Sequence, residues 1–234
     1  MIKPVYYNIF ACLAISFAAL ILVILLFRRR IEEPDFIPVL CFWLLVACLW
    51  LVVGMRTVFF VMEMYNVDRA LFLVAEILTI LHLIPAVYYL TYRVFENKNA
   101  GNLVSIFYVF LVLVFAYLII KGDIFGPYLS IWGSEYSISS ALFYIFLIAF
   151  VPILFLIILD LGKRIIIWVR KRMIVNLDKF FMTLSLLVYA VGGAFDVKGV
   201  AVGWGLMFIR MFIMTAILLA FLSVTWKQKI EIKR

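Results

Sequence analysis

The sequence predicts an all-α polytopic membrane protein, a bundle of seven transmembrane helices with the N-terminus outside and the C-terminus cytoplasmic. Three observations predict it. The 234 residues are 68% hydrophobic and only 15% charged, against about 45–50% and 25% in soluble domains. The apolar residues fall into seven runs near the ~20 residues that a helix needs to cross a bilayer. The lysines and arginines gather in alternate links, on one side of those runs.

The first run, Val5 to Phe27, ends at Arg28, Arg29 and Arg30. It is too long for a signal peptide, and its charge follows rather than precedes it, so an uncleaved helix is expected. The second runs from about Phe36 to Met62 and contains Arg56. The third, Ala70 to Tyr92, carries Glu76, Thr79, His82 and Pro85. A proline removes a backbone donor and crowds the carbonyl four residues earlier, so a kink is expected there. The fourth spans Leu103 to Ile120, and the fifth Ile138 to Leu159. The sixth, Phe180 to Ala194, is the shortest, and the seventh spans Val200 to Thr225. The links 121–137 and 160–179 are too short to fold separately. The whole chain, 1–234, therefore reads as one seven-helix domain.

Seven spans put the termini on opposite sides. The side of the C-terminus holds 15 of the 21 Lys and Arg residues and 7 of the 13 acidic ones. The positive-inside rule makes that side cytoplasmic. A basic surface spread over three links and a tail serves topology and anionic headgroups, so nucleic acid is excluded as a partner. Trp132 and Trp204 near one boundary, and Trp168, Trp226, Tyr88, Tyr89 and Tyr92 near the other, read as interface anchors. Trp43 and Trp50, seven residues apart on one helix, read as packing.

Catalytic signatures are sparse. Cys12, Cys41 and Cys48 all lie in spans without a CxxC pair, which disfavours disulfides and zinc. His82 is the single histidine, so a haem ligated by two histidines of this chain is excluded, and no GxSxG elbow or Gly-rich phosphate loop occurs. No catalytic residue, metal or cofactor is expected. In layout alone, the chain resembles opsins, seven-helix receptors and the input modules of some prokaryotic sensor kinases. A retinal opsin would need a lysine inside the seventh span, and Lys198 and Lys227 lie outside it.

The informative residues are charges inside apolar runs, which are costly and usually face a bundle interior. Arg56, Glu76 and Arg210 fall at similar expected depth in the outer half, and Glu63, Asp196 and Lys198 lie at the outer rim. Glu76, Thr79 and His82 recur every three residues and make a slowly winding polar stripe. Two readings compete: an Arg–Glu network that fixes helix order, and an outward pocket. In the second, Arg56, Glu76, Thr79, His82 and Arg210 bind a small anionic or carbonyl-bearing ligand, for which the planar guanidinium fork is suited.

On the basic side, Lys163, Arg164, Arg170, Lys171 and Arg172 mix with apolar residues. They are expected to contact anionic headgroups or a cytoplasmic or membrane protein partner, either on a helix that leaves the membrane or on a segment lying at its surface. The inner halves of the spans look poor in polar residues, which favours a non-catalytic, receptor-like or regulatory module over a transporter or channel subunit. An accessory subunit of a larger membrane complex is the third reading. The expected location is the plasma membrane of a prokaryote.

Overall fold

The computed structural model describes residues 3–28, 36–122, 124–171, 177–197 and 204–231. The described residues are mostly helical. The elements are α1 (Pro4–Arg28), α2 (Phe36–Val61), α3 (Tyr65–Leu81), α4 (Leu83–Phe95), α5 (Lys98–Ile120), β1 (Ile124–Ser130), β2 (Gly133–Ile138), α6 (Ser140–Lys171), α7 (Leu177–Val197) and α8 (Trp204–Glu231). With α3 and α4 taken as one unit, Tyr65–Phe95, seven helical units among the described residues are long and apolar enough to cross a membrane. Each coincides with one of the seven hydrophobic runs.

The units close into a ring, α1 against α2, α2 against α3, α4 against α5 and α6, α6 against α7, α7 against α8, and α8 back against α1. The seams use both apolar packing and single hydrogen bonds. Gly54 of α2 lets α1 come close, since a Cβ there would stand 2.9 Å from the side chain of Leu13. On the same seam, the Ser16 hydroxyl donates to the Ala47 carbonyl at 2.8 Å.

The third unit is interrupted at one residue, His82, which keeps right-handed helical dihedrals. Pro85 has no N–H to offer the Leu81 carbonyl, and its ring crowds that group. The helix accordingly stops at Leu81 and restarts at Leu83. His82 stands in the break, where its Nδ1 lies 3.0 Å from the Leu78 carbonyl. A carbonyl can only accept, so Nδ1 carries a proton. At the far end of α4, Asn97 caps α5, its side chain accepting from the backbone of Asn99 and Ala100 at 2.9 and 3.3 Å.

Two features beyond the seven apolar runs matter for the site. The 121–137 link is not irregular: Ile124–Ser130 and Gly133–Ile138 pair as an antiparallel hairpin. The fold is therefore helical with one small sheet rather than purely α. Its tight turn is held by Ser130, whose hydroxyl accepts from Trp132 N at 3.2 Å and donates to Gly133 O at 3.0 Å. Gly133 sits at φ +145°, a conformation that side chains disfavour. A strand of six or seven residues is a far weaker signal than a 20-residue apolar run, and Gly126-Pro127 interrupts the first strand.

The second feature is α6, which takes the helical course of the two expected for the basic segment. It continues as one helix to Lys171, 32 residues in all, or about 48 Å. That exceeds a ~30 Å hydrocarbon core by several turns.

Candidate functional site

A cavity of about 580 Å³ lies within the ring, beneath the hairpin. All five residues expected to bind a ligand, Arg56, Glu76, Thr79, His82 and Arg210, are on its wall. They come from α2, α3, the α3–α4 break and α8. The hairpin contributes Ser130, Trp132, Ser134 and Tyr136, and α1 contributes Asn8.

For Arg56 the partner is an aspartate, not the glutamate of the expected network. Arg56 pairs with Asp68, Nε to Oδ1 at 3.1 Å, and the Asp68 side chain is fully buried. The same guanidinium donates through Nη2 to the carbonyl oxygen of Ser134. It lies over the rings of Phe72 and Tyr136, 5.3 and 5.5 Å from their centroids, and those rings stack on each other at 4.6 Å. The Tyr136 hydroxyl donates to Asp68 Oδ2 at 2.9 Å. Partial burial and that hydrogen bond push the Tyr136 hydroxyl up to about 12. Arg56 is thus a structural clamp that ties the hairpin to α2 and α3.

Asp68 escaped the sequence reading because the third span was started at Ala70. A signal was present. Arg56 and Asp68 lie at nearly equal distances on either side of the α2–α3 turn, and such positions meet when two antiparallel helices pack. The earlier start of α3, at Tyr65, also sets Glu76 about 16 Å from the helix start instead of ~9 Å.

Arg210 is buried, with 6% of its surface exposed. Its guanidinium lies 4.4 Å from the Trp50 ring centroid, a cation–π arrangement. Its Nε approaches Asn8 Oδ1 at 3.5 Å. Asn8 in turn donates to the Trp132 carbonyl at 3.1 Å. Neither contact was expected, because a single Asn in the first turns of an apolar helix has no sequence partner. Trp132 is 6% exposed and lines the cavity, so it is not a boundary anchor. Tyr89 is likewise buried in the core.

Thr79 donates to the Ala75 carbonyl of its own helix at 2.9 Å. His82, Phe42 and Tyr189 form a triangle of edge-to-face rings, with centroids 5.4–5.5 Å apart. Glu63 sits exposed in the α2–α3 turn, at the hairpin end but off the cavity wall. Lys198 and Arg172 lie outside the described residues, as do the side chains of Asp196 and Lys171.

The other end of the ring carries a second ionic group. Asp160, 1% exposed, accepts two hydrogen bonds from Arg164, at 2.8 and 3.1 Å. It also accepts from the Thr183 hydroxyl of α7, at 2.6 Å. Arg164 is therefore a bundle residue, not the headgroup or partner contact that its position in a basic run suggested. Lys163 pairs with Glu96 at 3.0 Å on the surface, and that bond, with the lysine charge, holds the Glu96 carboxyl below its usual range. Arg170 is exposed beside Ile166 and Val169. With Thr91, Thr183, Ser185 and Ser223 also buried, this end is not as poor in polar groups as the sequence implied.

Among the described residues, no three His, Cys, Asp or Glu side chains gather closely enough to hold a metal ion. No protein-family model, curated protein or solved structure matches the chain.

Proposed function

We propose that this protein is a non-catalytic, receptor-like membrane module that binds a small molecule in the cavity beneath the hairpin. One observation carries the reading: five polar or charged side chains, from three separate stretches of the sequence, line a single cavity of about 580 Å³. That volume lies within the ~300–1,000 Å³ typical of small-molecule sites, which join a mostly apolar wall to a few placed polar groups. Intramembrane charges that converge on a cavity mark functional sites more often than packing accidents.

In this reading the hairpin end faces outside and the basic end faces the cytoplasm, in a prokaryotic plasma membrane. The extended end of α6, with Lys163, Arg170, Lys171 and the neighbouring Arg172, meets anionic headgroups and a protein partner. The buried Asp160–Arg164–Thr183 group gives some support to a second reading, a small-solute transporter or channel subunit. Against it, the deepest residues of the cavity wall are aliphatic, and that group is not on the wall.

Native mass spectrometry of the wild type, Arg210→Leu and Glu76→Leu tests the proposal. The expected result is a small molecule retained by the wild type and lost from both inserted variants. Wild-type-like retention in both variants would remove the reading. Solute flux through proteoliposomes of the wild type, without a retained molecule, would establish the transporter instead.

A further inference from the structure

The cavity wall is graded along its length. Near the hairpin it presents Arg56, Thr57, Glu76, Ser134, Tyr136 and Arg210. The aromatic triangle of Phe42, His82 and Tyr189 follows. Past His82, the wall is built by Leu83, Ala86 and Leu90 of α4, Ile153 and Ile157 of α6, and Leu186 of α7. Ser140 and Ile157 both line it, and they stand about 25 Å apart along α6.

The charges set a second constraint. Arg56 is matched by Asp68, and Glu135 stands exposed on the hairpin. Among the described residues, the rest of the wall holds one buried cation, Arg210, and one half-buried anion, Glu76, which offset each other in charge. A ligand with a net charge would add an unmatched charge to this balanced, partly desolvated site, at a cost. A polar head without net charge meets both groups. This turns the sequence expectation away from an anion and keeps its carbonyl-bearing alternative.

We propose that the cavity takes an amphiphile, with a net-neutral polar head at Arg210 and Glu76 and an aliphatic tail running past His82 to Ile157. The inference rests on the ligand-binding reading above and adds the chemical class. The aliphatic end gives hydrocarbon a dry wall, and the polar end gives hydroxyl, ester or amide groups both a donor and an acceptor.

Photolabelling of the full chain in lipid nanodiscs tests it. The probes are a monoacylglycerol with a diazirine at the tail end and a fatty acid bearing the same tail. Fragment mapping should find the monoacylglycerol label on Ile153, Ile157 and the Leu83–Leu90 stretch, about tenfold above the fatty acid, a difference of one decade in affinity. Excess unlabelled monoacylglycerol should remove that label and leave label on Phe155 and Ile158, which are exposed on the same helix. Ala190→Phe, which fills the slot at a buried wall position, should have the same effect. The competition arm decides the matter where that variant does not fold.

Label confined to Phe155 and Ile158, or cavity label equally strong with the fatty acid, overturns the proposal. The two ideas fail separately. A polar molecule lost on Arg210→Leu, without cavity label, defeats the amphiphile and leaves the site. Neither a retained molecule nor cavity label defeats both.

Discussion

Asp68 and Asp160 stand at opposite ends of the bundle, each almost wholly buried and each paired with an arginine. Their settings differ. Asp160 takes its arginine from one turn along the same helix and a hydroxyl from α7, so the pair forms wherever α6 forms. Asp68 takes its arginine from a different helix and its hydroxyl from the hairpin, so its pair exists only once α2, α3 and the hairpin are assembled. The first is a local pair recruited into a seam. The second is a tertiary clamp. Removing one partner of a buried pair strands the other, at about 3–5 kcal/mol, and that cost should be largest where no local rearrangement can re-solvate the arginine.

Asp68→Leu is the substitution that should separate the two ends most sharply. It leaves Arg56 and the Tyr136 hydroxyl without their acceptor, and a loss of roughly 3–5 kcal/mol is expected. Unfolding in mild detergent, followed by helical circular dichroism, measures it. Asp160→Leu should cost less, about 1–3 kcal/mol, because Arg164 lies near the end of the ring and can turn toward water. Equal losses would dissolve the distinction between clamp and local pair.

Tyr136→Phe keeps the stacked ring and deletes only the hydrogen bond to Asp68. A loss of about 1 kcal/mol is expected, together with faster access of polar quenchers to Trp132 fluorescence. The pH dependence has a definite sign. The hydroxyl is raised to about 12 from an ordinary value near 10. Its contribution is complete below about pH 10 and lost as pH rises through the higher value. Tyrosinate absorbance should show one fewer late-titrating group in Tyr136→Phe than in the wild type.

Lys163→Ala should give the smallest effect, with no measurable change in the melting temperature. Its bond to Glu96 lies on the surface, where screening leaves little net gain. Because the Glu96 carboxyl is held below its ordinary range, whatever the pair contributes is present above that range and fades as pH falls.

The seven helical units were legible because the signal for each is long, about 20 residues of one character. The cavity residues were legible for a related reason, since a charge inside an apolar run stands out against it. The hairpin was not, because Ile124–Ser130 has no two-residue alternation and is interrupted by Gly126-Pro127. Asp68 was not, because placing the start of α3 five residues late put it in a loop. Asp160 and Arg164 show the opposite failure. Their four-residue spacing was in plain view, but the surrounding basic run suggested a solvated surface instead of a pair turned inward.

The hairpin has an uneven set of attachments. Its ends are continuous with α5 and α6. Its hydrogen bonds go to the facing side of the ring, from Asn8 of α1 to Trp132, from Arg56 of α2 to Ser134, and from Tyr136 to Asp68 of α3. It thus spans the mouth as a tie-bar, with a covalent anchorage on one bank and a breakable one on the other. Any widening between the two banks shears that breakable side first. A protease cut at Lys121, which is exposed, would leave the severed strand moored over the mouth until those three bonds let go.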